Sequence, residues 1–264
     1  GGAKGADPNG EANDNDPGET HVNWVYGKVW IGGTSASWAL GGNWSGGTIP
    51  ISTDNIVIPA SGVTNWPLLD MNATGANRIA SFTLASGATL NLNSGTAYAL
   101  QIDGTASFGG TVNHTTAGVT LSGAAATVGG TYNHTGAGDL TAAAATLTVN
   151  SGATYIMSGA AGNVTVQTLA LSGLFRQKPN DNTLAATDLT INATGEFRNT
   201  RVSASSLIDV SGVFTNNGSM AGNTGGNFRF SGATLAGSST TTNFYRLTQQ
   251  SGTTTVSASV VPAC

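Results

Sequence analysis

Short runs in which apolar and polar residues alternate recur along most of the chain. Examples are SFTL at 81–84, VTL at 119–121, LTV at 147–149, LTI at 189–191, LIDV at 207–210 and FRF at 228–230. A period of two places alternate side chains on one face of a strand. Such runs sit beside a small residue and a glycine, and a second β-prone run follows. The glycines are Gly87, Gly104, Gly123, Gly152, Gly173, Gly195, Gly212, Gly232 and Gly252, at intervals of 17, 19, 29, 21, 22, 17, 20 and 20 residues. The sharpest internal match sets GGTVNHTTAG at 109–118 against GGTYNHTGAG at 129–138, identical at eight of ten positions. A unit of about twenty residues that cannot bury its inner side chains alone must stack on its neighbours. The pattern therefore predicts an all-β fold, a single parallel β-solenoid of the right-handed β-helix kind. Two strands, a glycine corner and a variable turn make one coil, with about nine coils in a rod on the order of 40 Å long. Glycine is expected to supply positive-φ corners, and the step of 29 residues to hold an inserted loop or the alanines at 142–145.

The region 21–80 departs from this rhythm and holds all five tryptophans, Trp24, Trp30, Trp38, Trp44 and Trp66. An open solenoid end exposes backbone groups and a slice of core, so this region reads as an aromatic cap. Trp30, Gly32, Gly33, Trp38, Asn43, Trp44, Pro50, Asp54, Asn55, Ile58 and Pro59 form a pattern that resembles the leading segment of β-helical modules in large secreted and surface-attached bacterial proteins. The likeness covers roughly 30–130. It implies a β-helical architecture; function is open, because such modules occur in adhesins, in stalks and beside catalytic domains. Three parts follow: a polar acidic leader at 1–20, the N-terminal strand and cap at 21–80, and solenoid coils at 81–264.

Glycine (38), threonine (38), asparagine (24) and serine (24) dominate while charged residues make up only 8 %. All rank low in helix propensity, so an all-α or doubly wound α/β fold is excluded. The net charge of −4 resides in residues 1–20, and the remaining body is neutral. A neutral, hydroxyl-rich body has no basic stripe for phosphates, so nucleic acid is not an expected partner. No run is long and apolar enough to span a membrane. The single cysteine, Cys264, leaves no disulfide framework within the chain and no Cys-rich metal site.

Chemistry-bearing residues are few. His114 and His134 hold equivalent places in the twenty-residue match and should stack one coil apart. With no third ligand, the favoured reading puts N-H-T in a turn or on an outer face, beside a ladder of Asn113 and Asn133. Asp14, Asp16 and Glu19 offer oxygen ligands but lack the spacing of a calcium loop, so they read as a solvated linker. No metal or other cofactor is implied. Arg176, Lys178, Asp181, Asp188, Glu196, Arg198 and Arg201 form the densest charged group. Arg176 and Arg198 should stack with Glu196 as counter-ion, which a surface ion-pair ladder explains without catalysis. T-x-T does not recur at twenty residues, so threonine is read as a strand former.

The expected function is structural and non-enzymatic: an exported subunit of a surface fibre or adhesin stalk, its signal peptide already removed. Its partners are copies of itself or neighbouring modules of a longer chain, with surface glycans as possible ligands. Head-to-tail assembly would cover the C-terminal end with a neighbour's N-terminal strand. Val22, Trp24, Tyr26, Trp30, Val256 and Val260 are the expected contacts. The alternative is a carbohydrate-binding or lyase-type module using Arg176, Glu196 and Arg198.

Overall fold

A computed structural model of the chain describes residues 27–158, 162–178, 182–200, 207–220, 227–231, 234–239, 242–243, 246–251, 255–256 and 262–263. The expected leader at 1–20, Val22, Trp24, Tyr26, Asp181, Arg201, Val260 and Cys264 lie outside these residues. So does the side chain of Val256.

The fold is a parallel β-solenoid of about seven turns. Each regular turn has three sides rather than the two expected. The first turn shows the plan: Ser81–Leu84 forms the first side, Thr89–Leu92 the second and Ala99–Ile102 the third. Along each side, the described strands pair in parallel with the equivalent strand of the adjacent turn, so like positions stack. On the second side, for example, Leu90, Val112, Tyr132, Tyr155, Phe175 and Phe197 follow one another in register.

Alternation then decides what is buried. In Thr131–His134 the side chains of Tyr132 and His134 point inward, while Thr131 and Asn133 lie half-buried on the outside. Six inward columns, two per side, fill the core without interruption. Within one of them Tyr132, Tyr155, Phe175 and Phe197 stack nearly parallel at centroid spacings of 4.7, 4.9 and 5.5 Å. Such pairs add about 0.5–1.5 kcal/mol each beyond their buried area.

Nine glycine motifs were read as nine coils because the motif marks two different corners. Gly87, Gly152, Gly173 and Gly195 lie between first and second sides, whereas Gly104, Gly123 and Gly212 lie between third and first. The intervals of 17 and 29 residues are switches from one corner to the other, and the 29-residue step, 123–152, contains no inserted loop. In the middle turns the corner between third and first sides has no glycine. Leu140–Val149, Val164–Leu171 and Thr183–Ile191 run round it as continuous strands. The alanines at 142–145 sit there, where the pairing shifts register between Ala142 and Thr146.

Positive φ also explains less than expected. Among the described repeat glycines only Gly87 and Gly152 adopt it. Elsewhere glycine is needed because the preceding turn passes too close. A Cβ on Gly123 would lie 2.0 Å from the carbonyl oxygen of Gly104, and one on Gly130 would lie 2.1 Å from that of Gly110.

The cap is built as the sequence suggested. Lys28–Val29 adds in parallel to Asn55–Ile58, and three fully buried tryptophans follow. Trp30 and Trp38 meet Trp44 edge-on, at 4.8 and 4.6 Å. Their indole N–H groups donate to the carbonyls of Asn65 (from Trp30) and Trp38 (from Trp44), so no buried donor is lost there. Buried Asn43 holds the loop between them, accepting from the Thr34 and Ser35 N–H groups and donating to Ser35 Oγ and the Ser37 carbonyl. Asp54 accepts from the Ile51 N–H and pairs with Lys28 at 3.3 Å.

Gly123→Ala and Gly130→Ala should each destabilise the fold by about 1–3 kcal/mol, the usual cost of overpacking. Gly118→Ala, where a Cβ meets nothing within 4 Å, should be neutral or slightly stabilising. Urea unfolding of the three variants checks this ordering.

Candidate functional site

Sequence reasoning placed chemistry on two groups, the histidine pair and the arginine cluster. His114 and His134 do stack, with ring centroids 4.2 Å apart and planes 3° from parallel. They face the core, however, contrary to the expected turn or outer position. Their place follows from alternation: His114 stands two residues after Val112, on the same inward face. That signal was legible in V-N-H and was overridden by the polarity of histidine.

Each imidazole is fully engaged. The Nε2 of His114 lies 2.6 Å from the Ala117 carbonyl and its Nδ1 is 3.0 Å from the Tyr132 hydroxyl. His134 repeats this with the Gly138 carbonyl and the Tyr155 hydroxyl, the latter at 3.1 Å. A carbonyl can only accept, so Nε2 carries the proton and Nδ1 accepts from the tyrosine. No lone pair is left for a metal on either ring. Burial, and secondarily the neighbouring His134, push His114 down to about 3. Burial also lowers His134, against the opposing pull of the Gly138 carbonyl and Asp139. Burial raises the Tyr132 hydroxyl, and burial with Tyr132 raises that of Tyr155.

On the outer face the asparagine ladder is present and extends one turn further than expected. The Asn113 amide donates to Asn91 at 2.9 Å, and the Asn133 amide donates to Asn113 at 3.3 Å. Beside it runs a column of Thr89, Thr111, Thr131 and Thr154 in register. The repeating outward unit of this side is thus T-x-N, which a search for T-x-T misses.

Further along the same columns, Asn133 is followed by Ile156, Arg176 and Arg198, and Thr154 by Leu174 and Glu196. Arg176 and Arg198 therefore stack on adjacent turns. Arg198 donates through Nε and Nη2 to one carboxylate oxygen of Glu196, at 2.8 and 2.5 Å. Arg176 has Leu174 where Arg198 has Glu196, and it makes no ion pair among the described residues. Its Nε is buried yet meets no acceptor. Asp188 does not join this group: it accepts from the Val213 N–H at 2.7 Å at the corner between third and first sides. A separate pair, Asp209 and Arg229, stacks on the third side, next to an open hollow of about 130 Å³ lined by Thr165, Ala185, Asp209 and Ser211.

Trp30, expected at a subunit interface, is fully buried within its own chain and has no surface left for a neighbour. Among the described residues, no helix is long and apolar enough to cross a membrane. No protein-family model, curated protein or solved structure matches the chain. The solenoid fold implied by the resemblance is present, and the module type rests on the cap residues alone.

The histidine pair makes stability depend on pH. Histidine in the unfolded chain titrates near 6.5, above the folded value of about 3 for His114. The unfolded state therefore takes up protons first as the pH falls. Stability is full above about pH 6.5 and should decline by about 1.4 kcal/mol per pH unit for His114 on the way down to its folded value, with His134 adding to the loss in the same direction. Replacing both by leucine, the residue at this position one turn earlier (Leu92), should lower stability at pH 7 but abolish most of the slope between pH 6.5 and 4. Urea midpoints across that range measure it.

Proposed function

We propose that this chain is a non-enzymatic structural rod, a segment of an extracellular fibre or adhesin stalk. The observation that supports it best is the continuous ladder of parallel strands along the first side. On the first side parallel pairing passes from Lys28–Val29 through Asn55–Ile58 and Ser81–Leu84, turn by turn, to Thr255–Val256. A rod whose turns contact mainly their neighbours transmits load along its axis and lengthens simply by adding turns. The outer surface is clothed in threonine, asparagine and serine and is close to neutral, as suits a spacer exposed to solvent. The resemblance of the tryptophan cap to the leading segment of surface-attached β-helical modules points to export and display on a cell surface.

The cap seals one end of the solenoid, which gives the rod a direction. In our reading, extension occurs at the other end, by the next module of a longer chain or by a second copy. Contact between copies would be head-to-tail and non-closing, which generates a filament. Trp30 is spent on the cap, so a strand donated by a neighbour would come from residues before it.

Negative-stain electron microscopy with light scattering across a concentration series tests this. Rods of solenoid width that lengthen with concentration are expected from copies joining end to end, with growth lost when residues 1–26 are deleted. Compact particles that never elongate and that turn over a substrate would contradict the structural role.

A further inference from the structure

We propose that the outer face of the second side binds an acidic polysaccharide, with Arg176 and Arg198 receiving carboxylate or sulfate groups on its sugar rings. The proposal stands apart from the rod's structural role and is tested separately.

Three observations carry it. The first is the placement of two arginines at paired positions on adjacent turns, in one column of a nearly neutral body. Like charges placed directly opposite repel, and a shared anion relieves that repulsion. The second is that the two arginines are unequally satisfied. Glu196 occupies one edge of Arg198, whereas Arg176 has no acid in the corresponding place and its Nε is buried without an acceptor. The buried Nε is closed to a ligand arriving from solvent, so a carboxylate or sulfate would be met by the Nη groups of the half-buried Arg176, which offer paired donors to a planar oxyanion. Lys178, half-buried two residues on, adds a third positive charge.

The third observation is what lies beside the cations. Along the same two columns the face continues as Thr154 and Ile156, then Thr131 with Asn133, Thr111 with Asn113, and Thr89 with Asn91. These rows offer hydroxyl and amide groups every 4.8 Å or so along the axis, and roughly 6.6 Å apart across it. The ends of the asparagine ladder keep a free amide donor on Asn91 and a free oxygen on Asn133. A flat, extended array of neutral hydrogen-bonding groups leading into a cationic step matches a chain of hydroxyl-bearing rings that also carries acidic groups. It does not match a nucleic acid, which needs many phosphate contacts and stacking surfaces. The aromatic rings of this side, Tyr132, Tyr155, Phe175 and Phe197, all face inward.

The test is affinity electrophoresis and titration calorimetry of the whole chain with polygalacturonate and with heparin. Cello-oligosaccharides serve as the neutral probe, and galacturonate monomer and inorganic sulfate as competitors. Binding of at least one acidic polymer, weakened by added salt, is expected. Arg176→Gln and Arg198→Gln should each weaken it at least tenfold with circular dichroism unchanged. Glu196→Gln should tighten it by freeing Arg198, and Arg78→Gln, which alters the same net charge at the cap, should leave it unchanged. The proposal is overturned if neither acidic polymer binds at low salt, or if the neutral chain binds equally well. It also fails if the two arginine variants bind like the parent, or if monomer or sulfate competes at the same concentration of charged groups as the polymer, which would mean a simple anion site.

Discussion

Everything in this chain depends on the parallel backbone hydrogen-bond ladder between consecutive turns. Each turn satisfies its N–H and C=O groups on the turns before and after it, and that ladder forces equivalent positions into columns. Once the columns exist, a side chain is judged by its neighbours above and below as much as by its own strand. Leucine and valine stack into a continuous core, tyrosine and phenylalanine into a ring column, and asparagine into an amide ladder. Even the requirement for glycine follows, since a corner that packs on the carbonyl of the preceding turn has no room for a Cβ.

The same rule governs the polar residues that break the pattern. His114 and His134 tolerate the core because they come as a stacked pair in which each ring nitrogen has a partner. Gln177 and Asn199 continue that inward column, with the Asn199 amide donating to Gln177 at 3.2 Å and the Gln177 amide to Asn182. Buried polar groups are costly unless fully paired. The register supplies the partners one turn away, and it ties the stability of this part of the core to pH.

Much of the architecture was legible in the sequence, and the parts that were not have physical reasons. The match between 109–118 and 129–138 gave the true register, since Thr111, Asn113 and His114 do pair with Thr131, Asn133 and His134. The three-sided cross-section was hidden because, in the middle turns, the corner between third and first sides is turned by ordinary residues within continuous strands such as Thr183–Ile191. Glycine marked two corners of three, so nine motifs overstated about seven turns. The Glu196 and Arg198 pair was read correctly from matching positions. The isolation of Arg176 was not, because it depends on Leu174 occupying the column in which the next turn places an acid. The T-x-N face was missed because its two members are different residue types.

Because the turn is the structural unit, removing one whole turn in register is the most direct test. Deleting residues 132–154 joins Thr131 to Tyr155 and leaves every column continuous, given that Thr131 pairs with Thr154 and Tyr132 with Tyr155. The shortened chain should fold with an unchanged β-type circular dichroism spectrum, and small-angle scattering should show a rod shorter by one strand spacing, about 4.8 Å. Deleting only residues 132–142 breaks all three sides out of phase and should leave the chain misfolded or aggregated. If both deletions fold equally well, or if the in-register deletion fails while the out-of-register one folds, the three-sided, column-stacked account is wrong.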